Sequence, residues 1–361
     1  MSRTRHALRS VVAALLLPAV MPLAAVGADA AQRPAAVKTI GSRVGFANGY
    51  ETLWLSDTAL AADLDGMAAT GARWLRVDFD WPSVQSGGRD SWRWSHIDRV
   101  VRSARARGIS ILAVPAYTPS WARPPGTNDK HPPTDPAAYA RFVGAAVRRY
   151  GPLGVRDWEI WNEPNQADFW QPRPNVSAYA RLFERASRAI HAVDPAATVI
   201  TAGLAPAANV AGRSISPFTF VVKMYHRGLK PYFDAVGMHP YTFPYAPEYA
   251  ADWNPFYRLP AIYRTMQNHG DGGKKIWATE VGWGTGTSSQ SVSNDTQASY
   301  SRSLVDAWLS YPFAAKLFWY SYRDLGSDRG DVWQNMGLVR RDWSGKPARD
   351  ALSEKLLRPM A

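Results

Sequence analysis

The feature that most limits how this sequence can fold is an alternation of short strand-like runs with longer helix-like runs, repeated eight times after residue 40. Most of the strand-like runs are apolar at nearly every position, which is typical of parallel strands covered on both faces. Eight βα units in series predict a (β/α)8 TIM barrel, with an open doubly wound sheet as the alternative. No glycine-rich phosphate loop follows the first run, which disfavours a nucleotide-binding version of that alternative. The predicted strands are 44–47, 74–79, 109–115, 155–161, 198–202, 235–239, 275–279 and 316–320.

The segments between these strands space their apolar residues three and four positions apart, as one buried face of a helix requires. Asp135 and Asn175 are predicted N-caps of two such helices. Gly108 is predicted to end the helix that precedes the third strand. A long loop is predicted at 324–341 after the eighth strand, and a closing helix at 346–357.

The first thirty residues have the pattern of a targeting segment. Arg3, Arg5 and Arg9 precede an apolar stretch at 11–26, and small residues follow at 28–30. This predicts a cleaved Sec-type signal peptide over 1–30, a loose leader over 31–40 and one barrel domain over 41–361. The sequence has no cysteine, which excludes a lipid-anchored lipoprotein and disulfides. We expect a secreted, extracellular bacterial protein without stable membrane association, and a monomer.

The formal charge of +12 is spread thinly along the chain. Basic residues cluster only in pairs, such as Arg148-Arg149 and Arg340-Arg341. This favours an ordinary solvated surface over a nucleic-acid-binding one. The 16 tryptophans are more informative, since flat aromatic faces stack on sugar rings.

Two glutamates follow apolar runs directly: Glu163 after the fourth predicted strand and Glu280 after the seventh. In a barrel of this kind the active site lies at the carboxyl ends of the strands, so both carboxyl groups are expected at one mouth. Two carboxyl groups are the minimum equipment for cleaving a glycosidic bond, one as proton donor and the other as nucleophile or base. Arg76, His239 and Tyr241 are expected at the same mouth, with Trp319 near the end of the eighth strand.

With these residues the sequence resembles clan A glycoside hydrolases, the (β/α)8 retaining β-glycosidases. The resemblance covers essentially the whole chain after the signal segment, and it is carried by Asn-Glu-Pro at 162–164, His-Pro-Tyr at 239–241, Thr-Glu at 279–280 and Trp319. Within the clan it is similar to families 39 and 5. The stretches 74–81 and 117–121 favour family 39. Family 5 members usually carry a histidine near the end of strand three, where this chain reads Val-Pro-Ala-Tyr at 114–117.

The resemblance implies a role for each matching residue. Glu163 would be the acid/base and Glu280 the nucleophile. Asn162 would bind the sugar 2-hydroxyl, and Tyr241 would hydrogen-bond to Glu280. Arg76 would keep the nucleophile anionic, and Trp319 would form the floor under the sugar. No cofactor and no metal are implied, and the histidines lack metal-ligand spacing.

Elementary electrostatics supports the division of roles between the glutamates. Neighbouring carboxylates cannot both ionise cheaply, so the pKa of one rises and its owner keeps a proton. Arg76 beside Glu280 would leave Glu163 as the acid. Glu159 has the same parity as Glu163 and is interpreted as an interior partner of Arg76. Asp78 is interpreted as an interior ion-pair member, and Asp80 as a residue that could contact substrate.

Several further residues follow predicted strands and are candidates for lining the site. His239 is one of them, and the aromatic candidates for stacking on sugar are Trp81, Tyr117, Trp121, Trp170, Tyr245 and Trp283. We expect a secreted retaining β-glycosidase that hydrolyses a β-linked polysaccharide or oligosaccharide. The alternatives are a transglycosylase that remodels cell-surface glycan and a carbohydrate-binding barrel without catalysis.

Overall fold

Eight parallel strands close into a barrel in chain order in the computed structural model, which describes residues 38–360. Each strand pairs with its sequence neighbours, and β1 pairs with β8 to complete the ring. The strands are β1 Val44–Ala47, β2 Trp74–Asp80, β3 Ser110–Ala116, β4 Asp157–Ile160, β5 Thr198–Thr201, β6 Ala235–Met238, β7 Lys275–Val281 and β8 Ala314–Trp319. The predicted (β/α)8 fold is confirmed, and all eight predicted strands overlap observed ones.

Helices lie between the strands and cover the outside of the barrel. They are α1 Asp57–Ala69, α2 Trp81–Val84, α3 Ser95–Ala106, α4 Pro136–Tyr150, α5 Val176–His191, α6 Pro217–His226, α7 Leu259–Asn268, α8 Asn294–Ser310 and α9 Pro347–Leu356. The predicted caps are confirmed, because the side chains of Asp135 and Asn175 accept hydrogen bonds from the first turns of α4 and α5. Gly108 has φ +67 just beyond α3, a conformation that favours glycine at a helix end.

The core has two parts. The larger one lies between the strands and the helices and includes Trp158. The smaller one is built from side chains of six strands and includes Ile200, Trp277 and Phe318, which pack inside the ring. Removing this apolar surface from water at about 25 cal/mol per Å² is the main force that holds the layers together.

A long loop connects β8 to α9 and folds back over the barrel mouth. Lys346, only 2% exposed, holds it in place. Its ammonium group donates to Asp324 at 2.7 Å, to the carbonyl oxygen of Asn335 at 2.9 Å and to Thr285 at 3.0 Å. The loop therefore has a fixed path and can contribute side chains to a site.

The two ends of the described segment, residues 38–360, meet at one place on the barrel. Thr39 forms an antiparallel bridge with Pro359, and the amide of Met360 donates to Lys38 at 2.8 Å. The final residues of the expected loose leader, 38–40, are thus hydrogen-bonded to the C-terminal segment. The expected signal peptide and the rest of the leader lie outside the described residues. Within residues 38–360, none of the helices combines the length and the apolar character that a membrane crossing needs.

Candidate active site

A cleft of about 840 Å³ opens where the strands end at their carboxyl termini. Asp80 ends β2, Glu163 follows β4, Glu280 is near the end of β7 and Tyr320 follows β8. The charged groups that line the cleft are seven carboxyl groups and one lysine, namely Glu51, Asp78, Asp80, Asp129, Lys130, Glu163, Asp168 and Glu280. Its aromatic lining residues are Tyr50, Tyr117, Phe169, Tyr241, Phe243, Tyr320 and Trp333.

Glu163 reaches the cleft through an unusual backbone turn. The strand β4 ends at Ile160, earlier than predicted, because Trp161 has φ 74 and Glu163 has φ 46. These left-handed conformations are costly for residues with side chains and concentrate at functional sites. The amide of Glu163 donates to the carbonyl oxygen of Gly203 at 3.1 Å, which fixes the turn. The carboxyl group is buried against the barrel wall and faces the cleft.

The surroundings of Glu163 favour its protonated form. Burial raises the pKa of its carboxyl group to about 8, and the negative charges of Glu159 and Asp168 add to the rise. The cation of Arg76 opposes the rise without cancelling it. Glu163 therefore carries a proton at neutral pH, as a general acid must.

Arg76 joins the two sides of the site from the floor of the barrel. It is 1% exposed and donates to both oxygens of Glu159, at 2.8 and 2.9 Å. It also donates to Glu280 at 2.5 Å and to the side-chain oxygen of Asn162 at 2.8 Å. Burial lowers the pKa of the guanidinium group, but the charges of Glu159 and Glu280 outweigh this, so the pKa lies well above its usual value. Glu159 is the interior partner that the sequence led us to expect.

Glu280 accepts hydrogen bonds on both of its carboxylate oxygens. Arg76 bonds to one oxygen, and the hydroxyl group of Tyr241 donates to the other at 2.8 Å. One side-chain oxygen of Glu163, one of Glu280 and one ring nitrogen of His239 all lie within 4.8 Å of one another. The two glutamates predicted from the sequence are therefore neighbours across the cleft.

His239 is buried behind Glu163 and bonds to it. Its Nδ1 lies 2.7 Å from Oε1 of Glu163 and 3.6 Å from Oε2 of Glu280. Burial lowers the pKa of the imidazole to about 4, so the ring is neutral at neutral pH. Gly203 makes room for the ring, since a Cβ there would lie 2.0 Å from Nε2 of His239. No pattern in the sequence indicated this role of Gly203.

The same three groups bear on metal binding. Among residues 38–360, Glu163, His239 and Glu280 place potential ligand atoms close enough together to hold a metal ion. Arg76 and Tyr241 already bond to both oxygens of Glu280, and a metal ion would lie beside the Arg76 cation. The arrangement suits proton transfer and nucleophilic attack better than metal coordination.

A family model described as Cellulase (glycosyl hydrolase family 5) matches residues 37–317, well over half of the chain. The chain belongs to glycosyl hydrolase family 5.

Solved structures share the fold of this family 5 chain. A family 39 glycoside hydrolase from Bacteroides cellulosilyticus WH2 matches with a TM-score of 0.70 and 22% identity, over 89% of this chain and 64% of its own. GH5_18 from Streptomyces cattleya, solved with GlcNAc, matches with a TM-score of 0.65 and 18% identity, over 88% of this chain and 80% of its own. At these identities the likeness concerns the fold.

One sequence relative is a β-xylosidase from Geobacillus stearothermophilus. It is 32% identical over 117 residues, which are 29% of this chain and 23% of the xylosidase. The family 5 chain thus matches less than a quarter of that relative's length.

Six of the expected aromatic residues lie outside the cleft lining of the family 5 chain. Trp319 and Trp283 are 1% and 0% exposed, and their indole nitrogens donate to Met336 and Tyr245. Trp121 is half-buried, donates to Gln85 and packs edge-on against Trp81. Trp81, Trp170 and Tyr245 also lie outside the cleft lining, so Tyr117 alone of the seven aromatic residues predicted to stack on sugar lines the cleft.

At the end of β8, Tyr320 lines the cleft where Trp319 was expected. The pairing of β7 with β8 is irregular, with register shifts between Ile276 and Val281. Such shifts change which residue at a strand end faces inward, because side chains alternate between the two faces. Sequence alone could not choose between two adjacent aromatic residues at this strand end.

Four other aromatic residues of the cleft were not foreseen, namely Tyr50, Phe169, Phe243 and Trp333. Phe243 follows β6, and Trp333 lies in the β8–α9 loop and is 45% exposed. The rings of Trp333 and Phe243 meet edge to face at 5.3 Å, and Trp333 contacts Tyr241 at the same distance. The length of the loop indicated a functional role, but its path over the cleft could not be predicted from the sequence.

Asp78 and Asp80 differ in their partners. Asp80 caps α2 by accepting from the amide of Ser83 at 2.8 Å, and it lines the cleft. Asp78 was expected to form an interior ion pair. Within residues 38–360 it forms none, because Arg76 bonds to Glu159, Glu280 and Asn162 instead. It lines the cleft with its carboxyl group.

Proposed function

We propose that this family 5 protein is a retaining β-glycosidase that hydrolyses the O-glycosidic bonds of a β-linked polysaccharide or its oligosaccharides. The observation that carries the proposal is the spacing of Glu163 and Glu280, which bring side-chain oxygens within 4.8 Å of each other. Retaining glycosidases need carboxyl groups about 5–5.5 Å apart, whereas inverting ones need about 6.5–9.5 Å to admit water.

In the proposed first step, Glu280 attacks the anomeric carbon and the bond from that carbon to the leaving oxygen breaks. Glu163 gives its proton to that oxygen, which leaves as an alcohol. Burial of the Glu163 carboxyl group raises its pKa to about 8, which supports this role at neutral pH. The hydrogen bonds from Arg76 and Tyr241 orient Glu280 for attack.

In the second step, water replaces Glu280 on the anomeric carbon. Glu163, now an anion, takes a proton from the water as its oxygen attacks, and Glu280 departs as a carboxylate. The cation of Arg76 stabilises that returning charge. Two displacements at one carbon retain the configuration. A transglycosylase would share the first step and use a sugar hydroxyl in place of water.

We also propose that the enzyme works outside the cell as a monomer. The basic and apolar pattern of the first thirty residues supports export. The β-xylosidase named above makes a β-xyloside one reasonable member of a substrate panel.

Removing each carboxyl group is expected to give a different phenotype. Glu280→Gln should abolish turnover, because no nucleophile remains. Glu163→Ala should lower kcat on natural glycans by about 10²- to 10⁴-fold, the usual contribution of a general acid. It should spare aryl glycosides with activated leaving groups, and added azide should restore turnover with a β-glycosyl azide as product. Rate assays and proton NMR of the first-formed anomer measure both effects.

Glu184→Gln serves as the control, since Glu184 lies on the surface of α5 and bonds to Arg188. It should retain the parent rate. Hydrolysis of natural glycan by Glu163→Ala at the parent rate would contradict the acid assignment. An α-anomer as first product from the parent enzyme would show inversion instead.

A further inference from the structure

The polar side chains that line the cleft form two sets. In one set, the groups bond to each other, to Arg76 or to His239, as Asn162, Glu163, Tyr241 and Glu280 do. In the other set, the groups have no hydrogen-bond partner in the part of the chain that the structure describes. They are the carboxyl group of Asp78, the hydroxyl groups of Tyr117 and Tyr320, and the side chains of Glu51, Gln166 and Asp168, and all of them line the cleft. Of the three carboxyl groups, Asp78 is buried, whereas Glu51 and Asp168 are exposed.

Asp78 is the most demanding member of the second set. The residue is 8% exposed, so its side chain is mostly buried and meets water only through the cleft. Burying an ionisable group without a partner costs several kcal/mol, and such groups are normally paired or hydrogen-bonded. An unpaired carboxyl group that faces a cleft is therefore an acceptor that a ligand can complete.

The nearby cations are engaged elsewhere. Lys130 donates to Asp129 at 3.1 Å and lies 3.2 Å from the ring centre of Tyr117. Arg76 is two residues before Asp78 on β2, and side chains two apart share one face of a strand. Asp78 therefore projects from the strand face that carries Arg76, the residue that contacts Glu280. Burial raises the pKa of Asp78 to about 7, as expected for a carboxyl group without a bonded cation.

The rings of Tyr117 and Tyr320 line the same cleft as Asp78. The negative charge of Asp78 contributes to the raised pKa of both hydroxyl groups, after the larger effect of their burial. A carboxylate with its two oxygens free accepts two donors, and sugar rings offer adjacent hydroxyl groups. A pyranose has apolar ring faces and polar edges. Its faces can pack against the tyrosine rings while its hydroxyl groups donate to the Asp78 carboxylate.

We propose that Asp78 is a specificity-determining residue that accepts hydrogen bonds from hydroxyl groups of the sugar unit bound against Glu280. This rests on the proposed glycosidase function and adds the recognition of the sugar itself. The ligand class is a pyranoside with adjacent free hydroxyl groups at the position that Asp78 contacts. Tyr117 and Tyr320 flank that position.

The test pairs a change in the protein with a change in the sugar. The parent is measured on 4-nitrophenyl β-D-xylopyranoside, β-D-glucopyranoside and β-D-mannopyranoside, and the best substrate is compared with its monodeoxy analogues. Losing a hydroxyl group bonded to a charged acceptor is expected to lower the parent's kcat/KM about 10- to 100-fold. With Asp78→Ala, kcat/KM for the same analogue should be less than about threefold below that for the full substrate, because the acceptor of the missing hydroxyl group is already absent.

Asp78→Asn keeps the shape of the side chain and one acceptor oxygen. Its loss in kcat/KM on the deoxy analogue should therefore lie between those of the parent and of Asp78→Ala. Asp78→Asn replaces Asp78→Ala in the test if that variant folds poorly. Asp157→Ala is the matched control. Asp157 is a largely buried carboxyl group at the amino end of β4, away from the cleft lining. Asp157→Ala should show the same loss of kcat/KM as the parent for every deoxy analogue.

Two outcomes would overturn the assignment while leaving the glycosidase function standing. In one, the parent and Asp78→Ala show the same penalty for every deoxy analogue. In the other, Asp78→Ala lowers kcat equally for all analogues without changing their order, which would mean that Asp78 acts through Glu280.

Discussion

Glu163 and Glu280 are the same residue type placed in different surroundings, and those surroundings distinguish them chemically. Glu280 accepts hydrogen bonds from a cation and a hydroxyl group, Arg76 and Tyr241. Glu163 contacts the neutral ring of His239 and has little exposure to water. From the sequence we expected repulsion between the two carboxyl groups to raise the pKa of Glu163. Burial is instead the main cause, with Glu159 and Asp168 as the negative charges that add to it.

The pKa of Glu163 predicts the alkaline side of the pH profile. The carboxyl group must be protonated in the free enzyme, so kcat/KM is retained below its pKa of about 8 and falls above it. The fall should approach about tenfold per pH unit, as for one essential proton. Rates on an unactivated glycoside from pH 5 to 10 measure it, and Glu163→Ala on a dinitrophenyl glycoside should lack this limb. A flat profile up to pH 10 would refute the assignment.

At the scale of elements, the site depends on how the loops are anchored to the strands. The short β4 strand ends in a left-handed turn that delivers Glu163, and Gly203 after β5 leaves space for His239. The β8–α9 loop brings Trp333 to the cleft. That loop has little regular structure, so its path depends on the three hydrogen bonds of Lys346.

Removing the Lys346 ammonium group is expected to loosen this loop. Lys346→Met leaves the carboxyl group of Asp324 largely buried without its cation, which typically costs about 3–5 kcal/mol. Urea unfolding measures the loss. Lys355→Met is the control, because its partner Asp306 is solvent-exposed and the change should cost less than about 1 kcal/mol. Equal losses in the two variants would count against the anchoring role of Lys346.

At the scale of the whole molecule, the charge of the surface and that of the cleft have opposite signs. The chain carries a net charge of +12, whereas the cleft is lined by one lysine and by six carboxyl groups besides the protonated Glu163. Lys130 is itself paired with Asp129. The local field in the cleft therefore disfavours anionic sugars, although the overall charge would attract them.

A uronic acid substrate should expose this difference. We expect kcat/KM for 4-nitrophenyl β-D-glucuronide to be at least about tenfold below that for the glucoside, with a smaller gap at high salt. Glu51→Gln removes an exposed charge of the cleft and should reduce the difference in kcat/KM between the glucoside and the glucuronide. Glu248→Gln, an exposed residue outside the cleft lining, should leave it unchanged. Faster hydrolysis of the glucuronide would contradict the electrostatic argument.

The sequence by itself determined the barrel and the residues at its centre. Apolar runs of strand length alternating with helical spacing allow few folds, and the carboxyl-end rule then groups Arg76, Glu163, His239, Tyr241 and Glu280 at one mouth. These side chains lie on or directly after strands, where direction and parity follow from the backbone period.

Tertiary structure alone decided which aromatic residues face the cleft, and that Asp78 faces it without an ion-pair partner. The register shifts between β7 and β8 put Tyr320 in place of Trp319, and the loop anchored by Lys346 brought in Trp333. Asp78 forms no ion pair within residues 38–360, because Arg76 bonds to Glu159, Glu280 and Asn162 instead. Loop paths and the choice among competing ion partners depend on contacts between distant parts of the chain. Such contacts have no local period that a sequence can display.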